Sequence, residues 1–303
     1  MQLKQKQIIG EEPGPHLLVF GGVHGDEFEP MAAIRLLALN LEPAVLRPGV
    51  LRGRVTLVPV VNEPAFLRGT RIAEDGLDLA RTFPGKANGS ITERIAAAAT
   101  ELIRGADYFI DLHTGGTQFR ILPMTGYMLH RDPKVLDAQR RMARAFNLPI
   151  VWGTDPSLDG RSLSAARDAG VPAIYAEYHG SAVCDPAGVS DYVDGCLNVM
   201  AELGMIDIRR PLSAVRHVVE DSRPGSGHLQ VCNRAPMTGF FVPTVTLGQP
   251  IRPGDVLGTI TDLFGERVET IASQQEGLVL LLNTFARVRE GDSLAVILET
   301  SQR

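Results

Sequence analysis

Four side chains in this sequence have the types needed for metal-assisted hydrolysis: His24, Glu27, His113 and Glu177. His24 and Glu27 stand three apart in LLVFGGVHGDEFEP, residues 17–30, where an apolar run meets a glycine turn. His113 closes the apolar segment DYFIDLH, and Glu177 closes VPAIYAE. Two imidazoles and one carboxylate make a catalytic zinc set, with a fourth position left for water or substrate. Zinc in such a set lowers the pKa of a water toward ~7 and polarises a carbonyl. A separate carboxylate must then take the water's proton and pass it to the leaving nitrogen, and Glu177 fits that role. Asp111, two residues before His113, is placed to orient an imidazole from behind.

Each residue also has an ordinary reading. A lone HxxE is a weak metal signal. His113 alone reads as a strand-end histidine and Glu177 as a solvated strand end. Asp26 reads as a helix-start acid favoured by the dipole. The joint pattern outweighs these readings, because unrelated causes would not put the right ligand types at so many strand ends. The GGVHG turn is a poor phosphate loop: it lacks GxGxxG or GK[ST], and the acids after it would repel phosphate.

The elements that must position these residues alternate. HLLVFGG (16–22), GRVTLVPVVN (53–62), DYFIDLH (107–113), LPIVW (148–152) and VPAIYAE (171–177) have strand character. Helical spacing marks 26–41, 90–106, 132–147, 162–170 and 189–204, and Ser90 with Glu93 has the spacing of a capping box. Such alternation predicts a mostly parallel sheet with helices on both faces. In that architecture ligands sit beyond the carboxyl ends of the strands, where all four candidates fall. After Ile208 the texture changes. Residues 208–217 read as a linker, and short Val, Leu and Ile runs separated by turns then predict an all-β region without helix. The expected division is a catalytic domain over 1–210 and a β domain over 211–303.

Composition removes several function classes. The formal net charge of −5 lacks the basic excess of a nucleic-acid binder. No apolar run is long enough to cross a membrane, and the first residues lack the apolar stretch of a signal peptide. Three cysteines without a CxxC fit thiols in a reducing cytoplasm, so a cytoplasmic location is expected.

The segments GGVHGDE (21–27), VNEPAFLRGTR (61–71), DLARTFPG (78–85), DLHTG (111–115) and YAEYHG (175–180) resemble the succinylglutamate desuccinylase and aspartoacylase family, relatives of zinc carboxypeptidases. The resemblance in order and spacing runs over nearly the whole chain. It implies an α/β fold with a mostly parallel or mixed sheet flanked by helices, followed by a C-terminal all-β barrel-sandwich domain. It also implies one zinc ion per chain held by His24, Glu27 and His113, Glu177 as general acid/base, and Arg71 polarising the scissile carbonyl. The implied reaction is hydrolysis of the amide bond of a small N-acyl amino acid. One departure stands out: the family pattern DLNR or NLNR is DLAR here, residues 78–81. Arg81 survives to pair with a substrate carboxylate. Ala80 replaces an asparagine amide by a methyl, which puts the family's usual aspartate and glutamate substrates in doubt. Asp78 in the same motif, and Arg161 in DGRSL, are further substrate-binding candidates. Arg161 reads equally well as a solvated loop arginine.

The stretch 217–299 resembles the scaffold of lipoyl and biotinyl carriers. A carrier needs a lysine, and there is none after Lys134, so a wall over the site or an assembly surface is expected instead. Two rival functions share the metal site. A carboxypeptidase would need a firm grip on a peptide's C-terminal carboxylate, against which Ala80 speaks. An inactive metal-binding scaffold would usually have lost a ligand or the acid/base, and all four residues are present. A homo-oligomer is a further expectation.

Overall fold

The computed structural model describes residues 1–42, 51–229 and 232–300. Its heart is a set of parallel strands in the order β3 (Arg52–Val58), β2 (Glu12–Phe20), β4 (Tyr108–Thr114) and β7 (Ala173–Gly180), with β1 (Lys6–Ile9) antiparallel on the outer edge. Val19 is register partner to Leu57 on one side and Ile110 on the other, and Ile110 to Ile174. Alternate residues of these strands enter two cores. Leu17, Val19, Ile110 and Ile174 pack under α1 (Phe28–Asn40), α4 (Pro133–Phe146) and α6 (Pro186–Glu202). Leu18, Phe20, Phe109 and Ala173 pack under α3 (Ile91–Arg104) and α5 (Ser162–Ala169). Burial on both faces is why these strands read as continuous apolar runs.

The helices begin where side-chain caps occur. Ser90 and Glu93 form the expected capping box at α3. Asp132 and Pro133 start α4, which stops at Asn147 in a left-handed conformation (φ 72°). Asn62 ends the apolar run after β3 by capping the short α2 (Glu63–Arg68). Helix α1 starts later than its spacing predicts. Glu27 holds the N-cap position without capping, and Asp26 turns away to accept hydrogen bonds from Thr117 N (2.9 Å) and Oγ1 (2.8 Å).

Helix and strand do not alternate strictly. After β4 the chain turns straight into β5 (Phe119–Met128), which runs antiparallel to β7. Sequence spacing did not reveal this strand. Pro123 interrupts its apolar run, and the register with β7 shifts between Ile121 and Met124. Proline cannot donate to the ladder, so a bulge is where a strand tolerates it. The sheet is therefore mixed. β6 (Ile150–Thr154) lies parallel to one half of β5 and carries β8 (His217–Glu220) on its far side, so the expected linker ends in a strand of the main sheet.

From β8 onward the described residues contain strands and no α-helix. β10 (Pro250–Ile251), β13 (Gly277–Asn283) and β15 (Ala295–Leu298) join the main sheet through β5, with Leu281 opposite Ile121. A separate antiparallel sheet runs in the order β12 (Val268–Ala272), β11 (Val256–Thr261), β9 (Gly239–Pro243) and β14 (Arg287–Val288). Phe241, Leu257, Ile260, Val279 and Ile297 form one core between the two layers. Among the described residues, strand pairing thus crosses residue 210 at two places, β8 on β6 and β13 on β5.

Candidate active site

The first two ligand candidates depend on a close backbone crossing. After β2 the chain passes against residues 58–65: Gly21 N donates to Val58 O and Asn62 N to Gly22 O. A Cβ on Gly25 would lie 2.1 Å from the carbonyl carbon of Ala65, and Gly22 has φ +61°. Only glycine permits both the approach and the turn. The crossing leaves His24 and Glu27 buried, at 3% and 1% exposure.

Glu27 is the hub. Its Oε1 lies 2.6 Å from Nδ1 of His24, and its Oε2 lies 3.1 Å from Nδ1 of His113. The ligand atoms of these three residues all lie within 4.8 Å of one another, so the group could hold a metal ion. The opposite ring nitrogens face carboxylates: His24 Nε2 is 3.1 Å from Asp78 Oδ1, and His113 Nε2 is 3.0 Å from Asp111 Oδ2. Each imidazole therefore has one nitrogen toward the centre and the other tied behind, the arrangement that orients a metal-ligating histidine. Burial opposes charge on Glu27, but His24 and His113 outweigh it and hold this carboxyl far below its ordinary range. Burial likewise opposes the His113 cation, and Asp111 and Glu27 outweigh it. Asp111 is in turn held by the hydroxyl of Ser162, the first residue of α5. A buried anion converged on by two imidazoles fits a divalent cation in charge and donor type.

Glu177 is the register partner of His113 on the neighbouring strand. It is 9% exposed, and its Oε2 has no hydrogen-bond partner among the described residues. Burial pushes its carboxyl up to about 8, and Glu27 adds to the rise while His113 opposes it.

Arg71 and Arg81 arrive on the loop between α2 and α3, and Arg161 at the N-cap of α5. Asp75 anchors that loop, accepting from Ser90 Oγ (2.6 Å), Thr92 N (2.9 Å) and Thr92 Oγ1 (2.7 Å) at the start of α3. Arg71 Nη2 donates to Asp78 Oδ2 (3.1 Å), and its Nη1 stands 3.7 Å from Glu27 Oε1. Asp78 also caps the 3-10 turn Leu79–Arg81 through Ala80 N (2.9 Å). Its carboxylate is thus spent on His24, Arg71 and the turn. Arg81 and Arg161 line one cavity with His24, Glu27, His113 and Glu177. Burial, and then Arg161, lower Arg81 to about 10; burial lowers Arg161 as well. Arg161 reaches across to donate to Gly227 O (3.3 Å).

The cavity holds about 110 Å³. That is well below the roughly 300–1,000 Å³ of pockets for drug-sized ligands. Its far wall comes from Phe119, Ile121, Leu229 and Leu281, so the C-terminal β region builds part of it. Sequence reasoning gathered the three ligand candidates, Glu177 and the arginines, and the structure brings all of these to one cavity, which Asp78 does not line. Missed were Asp75, Ser162 and Tyr175. Only Tyr175 had a readable signal, standing two residues before Glu177 on a strand.

Residues 13–203, which include every candidate site residue, match the succinylglutamate desuccinylase/aspartoacylase catalytic domain. The chain belongs to this family. Over 298 residues it is 29% identical to N-alpha-acetyl-L-2,4-diaminobutyric acid deacetylase of Halomonas elongata, covering 96% of this chain and 84% of the relative. Two solved proteins of similar fold are a succinylglutamate desuccinylase/aspartoacylase from Rhodobacter sphaeroides and the product-bound ectoine utilization protein EutE (DoeB) from Ruegeria pomeroyi. The first has a TM-score of 0.86 and 28% identity, covering 98% of this chain and 88% of its own. The second has a TM-score of 0.84 and 25% identity, covering 97% and 87%. The likeness therefore extends past the catalytic domain into the C-terminal β region. No described helix is long and apolar enough to cross a membrane.

Proposed function

We propose that this chain is a zinc-dependent deacylase that hydrolyses the amide bond of a small N-acyl amino acid. The observation that carries the reading is the convergence of two Nδ1 atoms on the Glu27 carboxylate, with the buried Glu177 beside His113. His24, Glu27 and His113 would hold one zinc ion, which when bound supplies Lewis acidity and an acidified water. Glu177 takes the proton of the attacking water and returns it to the leaving nitrogen. A carboxyl brought toward neutrality by burial is suited to both transfers. Arg71, fixed by Asp78, turns its guanidinium toward the carbonyl oxygen as negative charge develops there. Arg81 and Arg161 take the substrate's carboxylate at the cavity wall. Asp78 acts behind them, as a positioning residue for His24 and Arg71.

The small cavity favours a short acyl group, and the similarity to the Halomonas deacetylase makes acetyl the first choice. The catalytic machinery belongs to residues 1–210, and the region after it adds Leu229 and Leu281 to the apolar wall of the cavity. The test is a deacylation screen with zinc supplied, across N-acetyl, N-succinyl and N-formyl derivatives of acidic, basic and diamino acids. One divalent metal per chain and turnover of an N-acetyl amino acid are expected. A protein that holds no divalent metal and is indifferent to chelator would end the reading.

A further inference from the structure

Strand β7 offers the cavity two side chains, and the reaction proposed above uses one. Tyr175 stands two residues before Glu177, on the same face of the strand. The parallel register with β4 sets Glu177 opposite His113 and Tyr175 opposite Asp111. These four side chains form a two-by-two block on the α3/α5 face of the sheet. His113, Asp111 and Glu177 serve the metal centre or the proton. Tyr175 is the fourth corner.

The other neighbour of β7 makes room for this ring. Gly126 of β5 is the register partner of Tyr175. A Cβ at residue 126 would fall 2.3 Å from Cε1, 2.4 Å from Cζ and 2.5 Å from the hydroxyl oxygen of Tyr175. The outer half of the phenol therefore lies across bare backbone, in space that any other residue would fill. The ring packs between the core under α3 and α5 and the cluster around β5 and β13. Tyr175 lines the cavity together with Arg161 and Glu177. No described residue hydrogen-bonds its hydroxyl. A phenol held in an apolar wall keeps its ring buried and needs an acceptor for its O–H. Burial, and then Glu177, raise its pKa, so it is a donor at any working pH. The substrate group that offers an acceptor beside Arg161 is the carboxylate.

We propose that Tyr175 is a substrate-binding residue whose hydroxyl donates to the carboxylate of the N-acyl amino acid, beside Arg161, so that the pair selects substrates with a free carboxylate. The proposal rests on the deacylase reading.

Tyr175→Phe removes the hydroxyl and keeps the ring. The zinc-loaded full-length variant is compared with the parent on an N-acetyl amino acid that the parent turns over, and on the carboxamide of that compound. Binding of the released amino acid and of its amide is measured by calorimetry. The expected result is a KM for the acid raised roughly tenfold or more, the loss of one hydrogen bond to a charged group. The kcat stays within about twofold, the amide loses less because its neutral carbonyl accepts a weaker hydrogen bond, and the free amino acid binds more weakly by the same factor as the KM change. Equal effects on acid and amide, or a lower kcat at unchanged KM, would assign the hydroxyl to Glu177 or to packing and overturn the proposal. No effect at all would overturn it too. A parent inactive on every N-acyl amino acid sinks the deacylase reading and this inference with it; an active parent with an indifferent variant sinks this inference alone.

Discussion

His113 and Glu177 are register partners on adjacent parallel strands, so hydrogen bonding of the sheet itself sets the spacing between a metal-ligand candidate and the proposed acid/base. Neighbouring strands stand about 4.8 Å apart, a separation that flexible loops could not hold as closely. Glu27 reaches the same point from the start of a helix, and Arg71 from an anchored loop.

Glu177→Gln keeps size and burial but removes the titrating group. Turnover is expected to fall by at least about a hundredfold, with zinc content unchanged. Steady-state assays beside metal analysis check this, and an unimpaired rate would move the proton transfer to another group.

The same carboxyl links the stability of the metal-free protein to pH. Its folded-state pKa, raised by burial to about 8, lies above the ordinary value of 4.5. Between those values the folded state holds a proton that the unfolded state has released. Stability therefore falls as pH rises through this window, and levels off above the folded pKa. Urea unfolding of chelator-treated protein at pH 5 and pH 8 should show a steeper decline for the parent than for Glu177→Gln. Equal slopes would contradict the buried, uncompensated carboxyl.

Glu27→Gln leaves the two imidazoles without the anion between them. Zinc content after dialysis is expected to drop from one per chain to near zero, with activity lost alongside. A variant that retains the metal would remove Glu27 from the ligand set.

Asp78→Asn weakens the partner behind His24 and the clamp on Arg71. Loss of a hydrogen-bonding partner behind a ligating histidine typically costs about 10–100-fold in metal affinity or activity. Competition with a zinc-binding dye measures the affinity. A KM effect with zinc affinity intact would instead return Asp78 to direct substrate contact.

Arg81→Ala is expected to raise KM for acids by about tenfold or more, as a charge-assisted pair is lost. The kcat should change much less, because the role proposed for Arg81 is to hold substrate rather than to meet the reacting atoms. A collapse of kcat at constant KM would give it a role at the carbonyl.

Most of the catalytic half was legible because its signals are local. The capping box at Ser90 and Glu93 and the apolar valine and isoleucine runs are each read within a few residues. The glycine turn before His24 was legible for the same reason. Strand β5 was not, since Pro123 and its bulge break the period-2 pattern and its partners lie far along the chain. The partners of Asp78 were not legible for a similar reason: nothing in DLAR tells that its carboxylate faces an imidazole 54 residues earlier.

What the sequence by itself determined is the chemistry on offer: two imidazoles and two carboxylates at strand ends, arginines on loops, and a change of texture after Ile208. Residue type and short-range periodicity carry that information. Only the tertiary structure decided which groups meet. Strand register paired His113 with Glu177 and Tyr175 with Asp111, and the crossing at Gly25 lowered His24 into place. The pairing of β13 with β5 brought a C-terminal apolar wall over the site. Those choices come from hydrogen bonding and close packing between segments distant in sequence.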